Sequence, residues 1–184
     1  YEDNVSMVRY LLLDSIKRNL VSDVGISSFL SGGLDSSIVA SVAESLIGQI
    51  DTYSIDYEGN KTDFKANSFE SSRDEDYVGY LTKRGKYNHK SVIIDTKTVF
   101  DYLRVSMHLR DAPGMADIDS SMLYLSKEIA LKHKVSLSGE CADEIFGGYP
   151  WFKNKDIEGF PWIRNIEQRI DLVRDDIKDK IDLK

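Results

Sequence analysis

Segments with strand character alternate with segments of helical periodicity along most of this 184-residue chain. The strand-like runs are short and bounded by glycine or polar residues, and they cover residues 24–30, 50–57, 89–95 and 135–138. Strands separated by crossovers long enough for a helix pair in parallel, because each crossover returns the chain to the same edge of the sheet. The pattern therefore predicts an α/β fold built on a doubly wound parallel sheet.

Apolar residues recur every three or four positions between these runs, which predicts helices. Four helices are predicted at residues 4–20, 74–84, 96–109 and 119–133, and a fifth follows the first strand and ends near Gly48. In the first helix, one face carries Val5, Val8, Leu12, Ile16 and Leu20. That spacing is typical of an amphipathic helix.

The chain divides by its sequence character into an α/β core at residues 1–150 and the start of a helical extension at residues 151–184. The extension carries an aliphatic stripe made of Ile163, Ile166, Ile170, Val173, Ile177 and Ile181. Two interpretations of the stripe stay open, since it can pack on this domain's own sheet or against helices outside the chain. The first residue, Tyr1, and the charged run at residues 179–184 indicate a truncated piece of a longer protein.

Composition excludes several classes of function. With 41% hydrophobic and 30% charged residues the chain is typical of soluble globular proteins, and its net charge of −7 disfavours binding to nucleic acid or to an anionic membrane. No apolar run is long enough to span a bilayer, so we expect a cytoplasmic protein. The single cysteine, Cys141, and the three histidines His89, His108 and His133 do not follow the spacing of a zinc site.

The segment Ser31–Gly32–Gly33–Leu34–Asp35–Ser36–Ser37 lies between the first strand and the helix that follows. Backbone N–H groups at a helix start attract anions, glycines allow a phosphate to approach, and serine hydroxyls add donors. The segment lacks the Walker lysine and the dinucleotide glycine pattern. Asp35 would repel phosphate unless a divalent cation lay between them, so it favours Mg²⁺. The alternative is a tight turn with an acidic residue at the helix start.

A second segment, Ser138–Gly139–Glu140–Cys141–Ala142–Asp143–Glu144–Ile145–Phe146–Gly147–Gly148–Tyr149, follows the fourth strand. Ligands bind at the carboxyl ends of parallel strands, so we expect it to face the same crevice as the Ser31 segment. Its carboxylates, Glu140, Asp143 and Glu144, can bind a cation or transfer a proton. The alternative is a solvated acidic turn.

This ordered pair of motifs resembles the synthetase domain of asparagine synthetases, members of the PP-loop group of N-type ATP pyrophosphatases. The resemblance covers about residues 1–160 and implies a fold like that of the adenine nucleotide alpha hydrolases. Cys141 replaces a glycine of the family's second motif, so a local change at that turn is expected.

The resemblance implies ATP and Mg²⁺ as cofactors. It places the pyrophosphate of ATP on Ser31, Gly32, Gly33, Asp35 and Ser36, and the adenosine on Leu30, Ile55, Ser138 and Gly139. It makes Asp35 and Asp143 the Mg²⁺ ligands and puts Glu140 at the reacting groups. Asp111 and Glu144 are assigned to the amino-acid pocket.

The implied reaction has two steps: adenylation of the aspartate side chain to β-aspartyl-AMP, then displacement of AMP by ammonia from glutamine to give asparagine. Glu140 is a candidate general base in the second step. The family also implies an upstream glutaminase domain, a homodimer, and no nucleic-acid or membrane partner. Two alternatives remain: a β-lactam synthetase-like or other carboxylate-adenylating enzyme, and a nucleotide-binding paralogue without turnover.

Overall fold

A computed structural model describes residues 1–66, 72–112, 114–149, 152 and 174–178 of the chain. The chain forms two compact units, residues 1–140 and residues 141–184. The first unit contains a four-stranded sheet in the order β3-β2-β1-β4. Its strands are β1 Ile26–Phe29, β2 Ile50–Tyr57, β3 Tyr87–Ile94 and β4 Val135–Leu137. All three strand pairings are parallel, as predicted.

Helices connect these strands. In the first unit they are α1 Glu2–Asn19, α2 Leu34–Ile47, α3 Asn60–Asp63, α4 Asp74–Thr82, α5 Thr96–Arg110 and α6 Ala116–Ala130. The second unit contains α7 Ala142–Phe146 and α8 Asp175–Lys178. The short α3 lies in a polar stretch for which no helix was predicted. Most of the predicted stripe at residues 163–181 lies outside the described residues.

Helices cover both faces of the sheet. On one face, Tyr53, Val92 and Ile94 pack with Leu125 and Ile129 of α6. On the other, Leu30 packs with Ala40 of α2 and Val78 of α4, and Tyr87 lies against this second cluster. Tyr87 and Val92 belong to the same strand at odd and even positions, so their side chains point to opposite faces. The sheet is therefore doubly wound, and the predicted fold class is confirmed.

The first helix forms as predicted, but its apolar face is covered unevenly. Ile16 is 6% exposed, whereas Val5 and Val8 are 53% and 46% exposed. The carboxyl-terminal half of α1 thus reaches the core, while apolar side chains of its amino-terminal half remain on the surface of the described structure. None of the described helices has the length and apolar character needed to cross a membrane.

An ionic network joins the amino ends of the strands. The Asp51 carboxylate of β2 accepts a hydrogen bond from Asn88 Nδ2 at 3.0 Å, pairs with Lys132, and lies 2.8 Å from His133 Nε2. His133 Nδ1 lies 3.3 Å from the Gly25 carbonyl oxygen, just before β1. Burial raises the pKa of Asp51, but these hydrogen bonds and the charge of Lys132 outweigh it and leave the pKa below its ordinary value.

His89 occupies a second polar position between strands. Its Nδ1 lies 3.0 Å from Thr52 Oγ1 and its Nε2 lies 3.2 Å from Ser54 Oγ, so β2 supplies a hydroxyl to each ring nitrogen. Burial lowers the pKa of this imidazole, because desolvation disfavours the charged form. His89 thus forms hydrogen bonds between two strands, and His133 forms them at the amino ends of the strands.

Candidate functional site

The Ser31 segment begins where β1 meets the core. Leu30 is fully buried, and its backbone N–H donates to the Tyr53 carbonyl oxygen at 2.8 Å. Gly33 is the N-cap of α2, has an extended backbone (φ −65°, ψ 160°), and provides no side-chain cap. The Gly33 N-cap thus offers no side-chain acceptor at the start of α2, and the N-terminus of a helix is a place that binds anions.

Two serines fold this segment on itself. The Ser36 side chain accepts a hydrogen bond from the Ser31 backbone N–H at 3.2 Å and donates to the Gly33 carbonyl oxygen at 3.2 Å. The Ser31 and Ser36 hydroxyls are 3.0 Å apart. The loop is thus held in shape by the same hydroxyls that the sequence assigned to phosphate.

Gly32 has two reasons to be glycine. Its φ is +86°, a left-handed conformation that side chains disfavour. A Cβ at this position would also lie 2.5 Å from the Asp74 carbonyl oxygen and 3.1 Å from Tyr77 Cβ. The first turn of α4 therefore packs directly against the loop, a contact that the sequence analysis did not foresee.

The segment after β4 reaches the same loop. A Cβ at Gly139 would lie 2.8 Å from the Ser36 backbone nitrogen and 3.0 Å from Asp35 Cβ. Since β4 pairs with β1, Ser138 and Gly139 leave the sheet beside the start of α2. Glu140 follows with an exposed side chain, and its N–H donates to Ser138 Oγ at 3.1 Å. The structure thus brings Gly139 into contact with Asp35 and Ser36.

Asp143 and Glu144 belong to the second unit. A Cβ at Gly148 would lie 1.8 Å from Asp143 Oδ1, so this carboxylate lies directly on the glycine backbone. Tyr149 Oη donates to Glu144 Oε1 at 3.2 Å. Cys141, the N-cap of α7, has φ +70°, so the turn keeps a conformation that favours glycine although a cysteine stands there.

Ile55 and Asp111 are placed differently. Ile55 is half-buried on β2 and packs against the cluster around Tyr53, which leaves backbone groups as its means of contacting a ligand. Asp111 ends α5 with φ 56° and is exposed. No hydrogen bond among the described residues joins Asp111 to the Ser31 segment.

The carboxylates suit Mg²⁺ by their chemistry, since oxygen ligands are those that this cation prefers. Within the described part of the chain, no group of three or more histidine, cysteine, aspartate or glutamate side chains forms a metal site. A Mg²⁺ ion held by Asp35 would therefore take further oxygen ligands from nucleotide phosphates and water.

Sequence reasoning missed an ion pair beside Asp111. Arg110 Nη1 donates to Asp119 Oδ1 at 2.6 Å across the turn between α5 and α6. No motif or helical spacing signals this pair, because the two residues lie in different helices and meet only when the turn folds.

The parallel sheet, the glycine-rich loop at the start of α2 and the contact of Gly139 with that loop define an α/β domain of the PP-loop type. The family model for asparagine synthase matches residues 7–184. The chain belongs to the asparagine synthase family, and the predicted family is confirmed.

Curated relatives carry the same family name. The chain is 45% identical to glutamine-hydrolyzing asparagine synthetase 3 of Bacillus subtilis (strain 168), covering 100% of this chain and 31% of the relative. It is 34% identical to synthetase 1 of the same organism, over 79% of this chain and 21% of the relative. It is 29% identical to asparagine synthetase B of Escherichia coli (strain K12), over 82% of this chain and 29% of the relative. The chain thus spans less than a third of these relatives.

A solved structure is similar at a lower level. The NH3-dependent NAD synthetase from Campylobacter jejuni subsp. jejuni NCTC 11168 is 16% identical with a TM-score of 0.42, and the match covers 80% of this chain and 62% of that one. A likeness this low does not bear on function.

Proposed function

We propose that this chain is the nucleotide-binding part of an asparagine synthetase, in which ATP activates the aspartate side chain and ammonia converts it to an amide. The observation that carries the proposal is the contact of Gly139 with Asp35 and Ser36 at the start of α2. It joins two family motifs at the carboxyl edge of the sheet, where ligands of open parallel sheets bind.

The start of α2 is suited to the pyrophosphate end of ATP. Its N–H groups and the helix dipole stabilise negative charge, which increases on pyrophosphate as the aspartate carboxylate attacks the α-phosphorus. The hydroxyls of Ser31 and Ser36 can rotate from each other toward phosphate oxygens. We assign the adenosine to Leu30, which directly follows β1, to Ile55 on β2, and to Ser138 and Gly139, which follow β4.

Mg²⁺ would be held by Asp35 and, in the complete site, by Asp143, and it would neutralise charge on the phosphates. Asp35 lies in the first turn of α2, next to the N–H groups that face the phosphates. Its carboxylate supplies the oxygen chemistry that the ion requires.

Glu140 is proposed as the general base. Its backbone is fixed by the Ser138 side chain while its carboxylate remains exposed. After ammonia attacks the acyl carbon, this carboxylate would remove a proton from the nitrogen as AMP leaves. Glu144, from the second motif, and Asp111 are proposed for the amino-acid pocket.

Two further proposals concern the whole protein. We infer that ammonia comes from glutamine through an upstream glutaminase domain, because the relatives are named as glutamine-hydrolyzing and are much longer than this chain. We also propose a homodimer, a cytoplasmic location, and the division into a core at residues 1–150 and a helical region at residues 151–184.

The Mg²⁺ assignment predicts the behaviour of Asp35→Asn. Calorimetric titration should show an affinity for Mg-ATP about tenfold lower than that of the unaltered chain, because a charged oxygen ligand is lost. With EDTA present, the variant should bind ATP at least as tightly as the unaltered chain, because the repulsion between the Asp35 carboxylate and the phosphates is then lost. Asp101→Asn, which removes an exposed carboxylate on α5, is the matched control and should bind Mg-ATP normally. An equal loss with and without Mg²⁺ would show that Asp35 does not act through the cation.

The base assignment predicts the behaviour of Glu140→Gln. This variant should bind Mg-ATP within about twofold of the unaltered chain and form asparagine from aspartate and ammonia about 100-fold more slowly. If nucleotide affinity collapses instead, Glu140 is a binding residue. The 184-residue chain alone is expected to be incomplete for turnover, so asparagine formation is measured on the full-length protein. If that protein binds Mg-ATP but neither releases pyrophosphate nor forms asparagine, it is a nucleotide-binding paralogue without turnover.

A further inference from the structure

The Asp119 carboxylate holds the turn between α5 and α6 from two sides. One oxygen accepts a hydrogen bond from Arg110 Nη1 at 2.6 Å, and the other accepts one from the Met115 backbone N–H at 2.8 Å. The Asp119 side chain is only 16% exposed, whereas that of Arg110 is 55% exposed. The pair is therefore anchored at the aspartate and open to solvent at the guanidinium.

Gly114 leaves room for this arrangement. A Cβ at this position would lie 1.8 Å from Asp119 Oδ2 and 3.1 Å from Arg110 Nε. A side chain at residue 114 would thus displace both members of the ion pair. The hydrogen bond to Asp119 restrains the guanidinium, which reduces the conformational entropy that it would lose on binding a ligand.

The turn between α5 and α6 lies at the carboxyl edge of the sheet, where ligands of open parallel sheets bind. Ser121, in the second turn of α6, has its hydroxyl 2.9 Å from Tyr57 Oη, and Tyr57 is the last residue of β2. The start of α6 is therefore attached to the carboxyl end of β2. Since β2 pairs in parallel with β1, this end lies on the same edge as the Ser31 segment.

Arg110 retains donors for a further partner. A guanidinium has five N–H donors in a fixed fork, and among the described residues the hydrogen bond to Asp119 uses one of those of Arg110. An arginine with this geometry binds a carboxylate through charge-assisted hydrogen bonds. Aspartate has two carboxylates, and the one that attacks ATP must face the nucleotide, which leaves the α-carboxylate for a cation.

We infer that Arg110, positioned by Asp119, binds the α-carboxylate of the amino-acid substrate. The inference rests on the proposed function and adds a cationic residue to the pocket that binds the amino acid. Arg110 is a binding residue, while Asp119 is a positioning residue that acts through Arg110 and through the Met115 amide.

The test measures amino-acid binding to the chain saturated with Mg²⁺ and a non-hydrolysable ATP analogue, by calorimetry or by NMR titration. Two probes are used: L-aspartate, and β-alanine, which has the same amine and reacting carboxylate but no α-carboxylate. Arg110→Gln and Asp119→Asn should each weaken aspartate binding by about tenfold or more and leave β-alanine binding within about threefold. Gly114→Ala should have the same effect as Asp119→Asn.

The affinity for the ATP analogue is measured on every variant and shows whether the nucleotide-binding part of the site is intact. Asp101→Asn is the control for the loss of an exposed carboxylate on α5. Unchanged aspartate binding in Arg110→Gln, or an equal loss for both probes, overturns the inference. If the unaltered chain binds the analogue but not aspartate, the inference fails while the nucleotide part of the proposed function stands. If the chain binds neither ligand, the proposed function itself is wrong, and the inference fails with it.

Discussion

At the scale of single residues, a comparison of Gly32 with Gly48 distinguishes two physical reasons why a position requires glycine. Both have a positive φ, +86° and +83°. A Cβ at Gly32 would meet the Asp74 carbonyl oxygen at 2.5 Å, whereas a Cβ at Gly48 would have no atom within 4 Å. Position 48 therefore requires glycine only because its backbone is left-handed, whereas position 32 also requires it because a Cβ would clash with α4.

This pair predicts different costs for the same substitution. Gly48→Ala should lower the free energy of unfolding by about 1 kcal/mol, the cost of a left-handed backbone with a side chain. Gly32→Ala should cost clearly more, because the clash moves either the loop or α4, and it should also weaken ATP binding. Urea denaturation of both variants measures the difference. Equal losses of stability would show that α4 does not constrain the loop.

The sequence predicted a glycine turn at residues 31–33 and assigned its glycines either to the approach of phosphate or to a tight turn. The contact with Asp74 could not be foreseen, because it depends on where the polar stretch before α4 leads the chain. The same limit applies to Arg110 and Asp119, which meet only in the folded turn. Residue types therefore identified candidate ligand groups, whereas tertiary contacts identified the groups that hold them.

At the scale of secondary structure, the Asp51 network connects the elements at the amino edge of the sheet. Asp51 lies on β2, Asn88 on β3, and His133 in the link from α6 to β4. These partners keep the pKa of Asp51 below its ordinary value of 3.8 although burial opposes them. A carboxyl whose pKa is lower in the folded state stabilises the fold above its unfolded pKa, and this contribution is lost as the pH falls through the folded value.

The network predicts an acid-dependent difference between the unaltered chain and Asp51→Asn. At neutral pH the variant should be less stable, since it loses the charged partner of Lys132 and His133. The difference in unfolding free energy should shrink as the pH falls below the ordinary value of 3.8 and through the lower folded pKa, because Asp51 then becomes protonated in the folded chain. Urea titrations at several pH values measure it. A difference that stays constant over this range would show that the Asp51 charge does not stabilise the fold.

Elements with strong periodicity were predicted within a few residues of their observed ends. The helix predicted at residues 119–133 begins earlier, at Ala116, because the Asp119 carboxylate caps the Met115 N–H and organises a turn before the apolar pattern starts. The short α3 was missed, since Asn60–Asp63 contains no apolar spacing that indicates a helix. Apolar periodicity reports the buried face of an element but not the hydrogen bonds that set its ends.

At the scale of the whole molecule, the hydrophobic core of the described residues includes only part of the apolar face of α1. Ile16 is buried, whereas Val8 on the same predicted face is 46% exposed. Ile16→Ala should therefore lower the unfolding free energy by about 2 to 4 kcal/mol, and Val8→Ala by less than about 0.5 kcal/mol. Both changes are measured by urea denaturation of the 184-residue chain. Similar losses for the two variants would mean that the amino-terminal half of α1 is packed in solution.

The predicted family and sheet describe the chain well at this scale because two motifs and four strands fix the order of the elements. The sequence did not predict which part of the apolar face of α1 is buried, because apolar spacing does not identify what packs against an amphipathic helix. In the described structure Ile16 is buried, whereas Val5 and Val8 lie on the surface.

The two edges of the sheet differ in what a substitution there would change. The ion network of Asp51, His133 and Lys132 occupies the amino edge, opposite the edge of the Ser31 loop and the Arg110 turn. Among the described residues, Arg110 at that edge has its hydrogen bond with Asp119 and none with the Asp51 network. If Arg110 binds the substrate as inferred above, a substitution there changes amino-acid specificity while Asp51 keeps its partners, whereas a substitution at Gly32 changes stability and ATP binding together.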